Sequence, residues 1–234
     1  MKQLAIDADS MIYKVIFGKL SSENIEEQYM DFCSLVKREV YATRKLLKMN
    51  RDENLVLTIL LSPKTTFRNE LSIDYKANRD PKKPEVLALQ KLIYKRLDIA
   101  VVEKGVEADD LAITLSRDFG AVISAIDKDV KQAATTMVHD YNKQEWQYPG
   151  DNVEDWYIYQ SILGDGTDGI AGAKGKGDKA AQAFIDNPDN GYEEWIALYQ
   201  SEDDAIMNMR LVRMDQFSFE HGITLWTPDM WQRF

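Results

Sequence analysis

The chain has 234 residues, 44% apolar and 10% aromatic, which excludes disorder and suffices for one α/β domain, alone or with a helical appendage. A single cysteine excludes an internal disulfide, and two histidines leave little from which to build a zinc site. The net charge of −10 argues against nonspecific coating of nucleic acid, and the lack of any 18-residue apolar run or secretion signal predicts a cytoplasmic protein with no membrane partner.

Gln3 to Ile6 reads as a short buried strand that ends on Asp7. Asn24 with Glu27 three residues later opens a helix, in which Ile25, Tyr29, Phe32, Val36 and Val40 recur at helical spacing to about Met49. Cys33 lies on this helix and fits a core-filling role. Leu55 to Leu61 is a second buried strand, closed by Ser62-Pro63. The stretch that follows has no clean period and predicts an irregular loop. Residues 64 to 104 carry ten Lys and Arg against six Asp and Glu, so an acidic chain holds a basic insert, the natural contact for a polyanion.

Pro84 suits a helix start, with the helix running to about Asp98, and Ile99 to Val102 makes a third strand. Glu107 to Phe119 is a helix with Gly120 just past its end, and Ala121 to Ser124 and Thr135 to His139 are further strands. This alternation predicts an α/β fold, a mostly parallel central sheet with helices on both faces. From Asn152 onward only helices are expected, at 153–163, about 178–186, 191–200 and 203–217, and the aromatic tail LWTPDMWQRF packs the last of them. Two domains follow, an α/β domain over 1–150 that includes the basic segment 64–104, and a helical region over 151–234.

Eight carboxylates stand out: Asp7; Glu107, Asp109 and Asp110; Asp127 and Asp129; Asp165 and Asp168. Parallel sheets place ligands beyond the carboxyl ends of their strands, which brings Asp7, Asp127 and Asp129 to one edge, with Glu107, Asp109 and Asp110 in the first turn of the helix beside it. Capping alone would explain one acid per helix start, not three in four residues. Acids so crowded repel unless cations lie between them, and an all-oxygen set suits Mg²⁺ or Mn²⁺ and the chemistry of phosphate esters. Gly172-Ala-Lys174-Gly175-Lys176-Gly177-Asp-Lys179 can present backbone N–H groups to phosphate from a turn between two helices, although it is not a P-loop. Phe67-Arg68 and Tyr75-Lys76-Ala-Asn-Arg79 mix cations with rings, as nucleic-acid contacts do and as a solvated loop also can.

Taken in order, IDADSMIYK, FRNELSIDYKANR, VEADD, SAIDKD and GDGTDGIAGAKGKGDKAA resemble the phage and bacterial 5′→3′ exonuclease and flap endonuclease family, closest to the small T-odd phage exonucleases of the gene 6 type. The resemblance covers nearly the whole chain. It implies a PIN-like, three-layer nuclease core with a helical arch, and a helix-hairpin DNA-binding element at 164–186. It also implies two Mg²⁺ or Mn²⁺ ions in a two-metal hydrolysis of DNA near 5′ ends, a K⁺ ion at the hairpin, and, if phage-encoded, residence in the host cytoplasm. By carry-over, Asp7, Glu107, Asp109 and Asp110 form the first metal site, and Asp127, Asp129, Asp165 and Asp168 the second. Lys76 and Arg79 contact the scissile phosphate, Tyr75 stacks on the terminal base and Arg68 binds backbone. Gly172, Lys174, Gly175, Lys176, Gly177 and Lys179 hold duplex phosphates. The partner is duplex or flap DNA, with an RNA–DNA hybrid left open, and a monomer suffices.

Three departures stand against the pattern. An Asp expected just after the second strand is replaced by Leu61-Ser62-Pro63, the arch is short, and the hairpin carries Lys174 and Lys176 where apolar residues or proline are usual. Two rival readings remain. Asp7-Ala-Asp9 imitates the signature of an aspartyl-nucleophile phosphatase, in which Asp7 attacks and Asp9 is the acid. A noncatalytic DNA-binding replication accessory could keep the fold with one acid lost.

Overall fold

The computed structural model describes residues 1–18, 22–150 and 152–232. Its first compact unit comprises Met1–Lys64 and Pro81–Gly150. Strand β1 (Lys2–Asp7) passes directly into helix α1 (Ala8–Phe17), because Asp7 is both the last strand residue and the N-cap, its carboxylate accepting the Asp9 N–H. Helix α2 (Ile25–Leu46) opens on Asn24, whose side chain accepts the Glu26 N–H, and it buries Phe32 and Val36. Strand β2 (Leu55–Leu60) follows. After α3 (Phe67–Leu71), which belongs to the second unit, come α4 (Pro84–Arg96), β3 (Ala100–Val101), α5 (Ala108–Phe119), β4 (Val122–Ser124), α6 (Lys128–Ala133), β5 (Val138–Asp140) and β6 (Glu145–Gln147).

These strands form a sheet of order β3-β2-β1-β4-β5-β6, parallel except for the last pair. The centre strand β1 pairs Lys2 through Asp7 with Leu55 through Leu60 in register. Leu4, Ala5 and Ile6 are all buried, the continuous apolar run that a strand covered on both faces requires. Met11, Ile12, Phe32, Ile59, Leu89 and Ile93 join one core cluster with Leu4 and Ile6. The chain builds β1, β2 and β3 in one direction and then crosses to β4 and β5 on the other side of β1. The strand order therefore reverses between β1 and β4, and the carboxyl ends of these two strands are where a parallel sheet of this kind opens a ligand crevice.

The second unit comprises Thr65–Asp80 and the chain after Gly150. Its elements are α3, α7 (Val153–Leu163), α8 (Asp178–Asp186), α9 (Tyr192–Ile196), α10 (Glu202–Val212) and a hairpin of β7 (Phe217–Ser218) with β8 (Gly222–Ile223). The tail was expected to pack the last helix; its Trp226 and Trp231 instead lie against the fully buried Trp195 of α9, the helix before it, and the last helix meets the tail where Arg210 donates to the Trp226 carbonyl; residues 233 and 234 of that tail lie outside the described residues. Tyr75, Ile170 and Leu211 form a smaller core.

Several elements differ from those read in the sequence. The basic stretch is not structureless: Asn69 accepts the Thr66 N–H and starts α3, and the segment groups with the second unit. The strand expected from Thr135 begins only at Val138, because Thr135 and Thr136 direct their hydroxyls to Ser116 and to the carbonyl of Ala121. The helix expected to reach 217 stops at Val212, and the chain turns into β7 and β8. Among the described residues no helix is long and apolar enough to cross a membrane.

Candidate metal centre and nucleic-acid interface

Asp7 is buried at the carboxyl end of β1. Its carboxylate accepts the Asp9 N–H at 3.0 Å and the Ser10 hydroxyl at 2.5 Å, and Tyr141 donates to Ser10 at 2.7 Å. Burial pushes the Asp7 carboxyl up to about 6, the charge of Asp9 pushes the same way, and Asp127 adds to it. The hydrogen bonds from Ser10 and the Asp9 amide oppose the rise without cancelling it. Asp127 follows β4 and caps α6, its carboxylate accepting the Asp129 N–H at 2.7 Å. Both Asp-x-Asp sequences thus open on an aspartate that caps a helix, Asp7 as the last residue of its strand and Asp127 three residues beyond the end of β4.

Glu107 and Asp110 form a reciprocal capping box on α5, and the Asp110 carboxylate accepts the Glu107 N–H at 3.2 Å. Asp110 is fully buried, while Glu107 and Asp109 are half-buried. The position after β2, where an acid was missed, is occupied in another way. Asp9 accepts the Ser62 N–H at 3.2 Å, so a carboxylate reaches the end of β2 from α1. Ser62 in turn accepts the Ala108 N–H at 3.0 Å on its hydroxyl and supports the amino end of α5. Lys82 pairs with Asp9 at 3.2 Å, and Gln90 donates to Asp9 and to the Ser62 carbonyl. Sequence reasoning gave Asp9 only the rival phosphatase role and passed over Gln90; the two-residue spacing from Asp7 was the available signal for the former, and nothing local marks the latter.

Within the second unit the motifs around Lys76 and Asp168, far apart in sequence, meet. The Lys76 N–H donates to the Asp168 carbonyl at 2.8 Å, its ammonium lies 3.8 Å from the Asp168 carboxylate, and Arg79 pairs with the same group. Burial raises the Asp168 carboxyl, and Lys76 and Arg79 only partly offset this. Lys76 holds φ at +55°, a left-handed conformation uncommon for a residue with a Cβ. Asp165 accepts the Thr167 N–H at 2.8 Å, repeating the turn seen at Asp7 and Asp127. Gly169 permits the close approach, since a Cβ there would lie 2.0 Å from the Asp74 carbonyl oxygen.

Three expectations need correction. Arg68 is buried, donating to the carbonyls of Leu211 at 2.8 Å and Arg213 at 2.5 Å, so its guanidinium is a core strut and not a backbone contact for DNA. Tyr75 is also buried, in the cluster with Ile170 and Leu211, where it is not presented to a base. Gly172 is buried too, and its N–H donates to Asn208 at 2.8 Å, which leaves none for phosphate. Lys174, Gly175, Lys176, Gly177 and Lys179 are exposed, and nothing crowds Gly175 or Gly177.

Six of the eight carboxylates lie in the first unit, and Asp165 and Asp168 in the second. Among the described residues no three acids converge tightly enough to close on an ion with the side chains as they stand. The donor set nonetheless fits a hard divalent cation. It is all oxygen, and the Asp7 carboxyl, raised first by burial and then by the charges of Asp9 and Asp127, is one whose ionised form a cation would stabilise.

A family model described as the N-terminal resolvase-like domain of 5′-3′ exonucleases matches residues 2–157. Over 175 residues the chain is 28% identical to the thermostable DNA polymerase I of Thermus aquaticus, covering 68% of this chain and 20% of the polymerase. Over 146 residues it is 34% identical to a 5′-3′ exonuclease of Buchnera aphidicola subsp. Baizongia pistaciae, covering 58% of this chain and 47% of that one. The chain thus spans a fifth to about half of the length of these relatives. Among solved structures, the T5 D15 protein crystallised with metal ions superposes with a TM-score of 0.69 at 18% identity, over 92% of this chain and 90% of that one. The catalytic core of Rad2 in complex with DNA substrate superposes with a TM-score of 0.54 at 14% identity, over 84% and 65%. Both likenesses are of fold.

Proposed function

The chain belongs to the 5′-3′ exonuclease family, and on that premise we propose that it is a metal-dependent nuclease that hydrolyses phosphodiesters of DNA near 5′ ends. The observation that carries this reading is the pair Asp7 and Asp127, at the carboxyl ends of β1 and β4 where the strand order reverses, near enough for one to raise the other's pKa. That T5 D15, a flap endonuclease, has been crystallised with DNA and metal ions supports a like chemistry here.

Asp7, Glu107, Asp109 and Asp110 would hold one Mg²⁺ or Mn²⁺, and Asp127 and Asp129 would contribute to a second, the role proposed for Asp165 and Asp168 as well. Such an ion supplies a Lewis acid for the phosphoryl oxygens. The chain's own residues do the rest. Ser10 and Tyr141 fix the Asp7 carboxylate, and Glu107 and Asp110 are held by their reciprocal cap. Lys76 and Arg79, already oriented by Asp168, are the cations that bind the scissile phosphate and stabilise its growing charge. Lys174, Lys176 and Lys179, with the open amides of Gly175 and Gly177, grip phosphates of the duplex, where a K⁺ ion is also proposed.

The decisive experiment incubates purified protein with 5′-labelled duplex and flap DNA in Mg²⁺ or EDTA. Cleavage is expected only with Mg²⁺, abolished in Asp7→Asn and slowed about 10²- to 10³-fold in kcat by Lys76→Ala. Mg²⁺-dependent cleavage of none of these substrates would sink the proposal. Asp9→Asn separates it from the phosphatase reading: it should weaken cleavage modestly by loosening Ser62 and Lys82, whereas an aspartyl phosphatase would lose its acid and its chemistry.

A further inference from the structure

Glu39 lies on α2, is only 1% exposed, and has no part in the site described above. Its Oε2 accepts the Ser124 hydroxyl at 2.9 Å and pairs with Nδ1 of His139, and both of those side chains are buried too. The His139 ring lies against Trp146, with centroids 4.5 Å apart. The other carboxylate oxygen, Oε1, is buried and accepts no hydrogen bond among the described residues, and Arg38 Nε lies 3.5 Å from it. A carboxylate taken out of water with one oxygen unsatisfied is costly, and well-packed apolar side chains often fill such a place at less cost. No substrate reaches these buried groups, so what they supply is position and not chemistry.

Their place in the sheet shows what is held. Ser124 ends β4, in register with Ile6 of β1 on one side and His139 of β5 on the other. The Ala125 N–H donates to the His139 carbonyl at 3.1 Å, so the two strands stay paired to within two residues of Asp127. Ile6 directly precedes Asp7. Two residues beyond His139 stands Tyr141, which donates to Ser10 and through it holds the Asp7 carboxylate. Arg38, the neighbour of Glu39 on α2, donates to the Tyr141 carbonyl at 3.2 Å. Two successive residues of one helix thus grip β4 and β5 where one strand leads to Asp127 and the other to the prop of Asp7.

We infer that Glu39, assisted by Arg38, is a positioning residue for the metal centre: it clamps the ends of β4 and β5 to α2 and so sets the spacing of Asp7 and Asp127. Spacing matters because a divalent cation binds through ligands already held in place, and the groups behind such ligands are worth about 10- to 100-fold in metal affinity. The inference rests on the proposed metal centre, but its readout is binding and not cleavage.

Isothermal titration calorimetry of Mn²⁺ into the DNA-free protein, at a temperature where thermal melts show the variants folded, measures the clamp. Glu39→Leu should weaken Mn²⁺ binding about tenfold, the low end of that range. Glu39→Gln, whose amide can accept from Ser124 and donate to His139, should restore it. Ser124→Ala cuts only the tie to β4 and should shift affinity the same way by less; it decides the matter if Glu39→Leu does not fold. Val36→Ala, which opens a cavity under the same helix, should lower the melting temperature and leave Mn²⁺ affinity alone. With DNA, Glu39→Leu should need more Mg²⁺, with kcat recovering at saturating Mg²⁺ and KM for DNA unchanged. Parent-like affinity in Glu39→Leu, or in Ser124→Ala if the former is unfolded, overturns the inference. So does a loss in Val36→Ala equal to that in Glu39→Leu, which would reduce the effect to loosened packing, and so does Glu39→Gln binding no better than Glu39→Leu. If Mn²⁺ affinity falls as expected but the parent protein cuts no DNA, the clamp stands and the nuclease reading falls. Cleavage by the parent with undiminished affinity in the variants removes the clamp alone, and a parent that binds no Mn²⁺ removes both.

Discussion

At the scale of single residues, the lesson is that charge pattern and charge location are different things. Arg68 sits in a motif that reads as basic and aromatic, yet its guanidinium is consumed by two buried carbonyls between the rings of Phe67 and Tyr75. Arg68→Met should therefore lower stability by about 2–4 kcal/mol, since it takes the guanidinium from the Leu211 carbonyl and leaves the Arg213 carbonyl with the Gln216 amide, and should leave the salt dependence of DNA binding unaltered; urea unfolding and a salt titration check both. Asp140 carries a pH signature. Burial opposes its ionisation, but hydrogen bonds from Lys131 and from the Lys143 and Asn142 amides prevail and hold its carboxyl below the ordinary 3.8. A depressed carboxyl stabilises the fold above its unfolded value and ceases to do so as pH falls through the folded one. Asp140→Asn should accordingly melt lower than the parent protein at neutral pH, and the gap should close below about pH 3.8, which thermal melts across pH measure. The eight acids were legible because their spacing is a local property. What Arg68, Tyr75 and Gly172 do was not, because burial is decided by residues more than thirty positions away.

At the scale of elements, the sheet was readable from its apolar runs, and its switch point at β1 and β4 locates the acidic edge. Helices α1 and α6 escaped notice because each starts on the acid that ends the preceding strand or loop, with no turn residues between. Hairpin β7–β8, two residues a side, is too short for a period to register. The glycine turn before α8 illustrates a division of labour that glycine count conceals. A Cβ on Gly172 would lie 2.7 Å from both the Gly164 nitrogen and the Ile162 carbonyl oxygen, with φ at +68°, whereas Gly175, at +73°, faces open space. Gly172→Ala should thus destabilise the second unit severely, and Gly175→Ala by only about 1 kcal/mol, the cost of the left-handed backbone alone. Differential scanning calorimetry of both variants distinguishes a packed glycine from an exposed one.

At the scale of the whole molecule, the chain enters the second unit at Thr65, returns to the first at Pro81 and leaves it again after Gly150. The boundary near 150 was visible as the end of the strand-and-helix alternation, but the loan of residues 65–80 was not, since nothing in their composition names the partners that bury them. Those partners come late. Arg68 waits for Leu211 and Arg213, Tyr75 for Ile170 and Leu211, and Lys76 for Asp168. During synthesis the segment that supplies them therefore emerges well before its contacts exist, and the first unit must fold around a loop whose aromatic and cationic side chains are still unsatisfied. A fragment ending at Gly150 should retain the sheet but expose Phe67 and Tyr75, bind a hydrophobic dye and aggregate on warming, while a version with 65–80 replaced by a Gly/Ser linker should stay monodisperse; light scattering compares the two. Lys76 and Arg79 are thus first oriented only once Asp168 has been made, and a chain that stops short of it would carry both cations without the carboxylate that holds them.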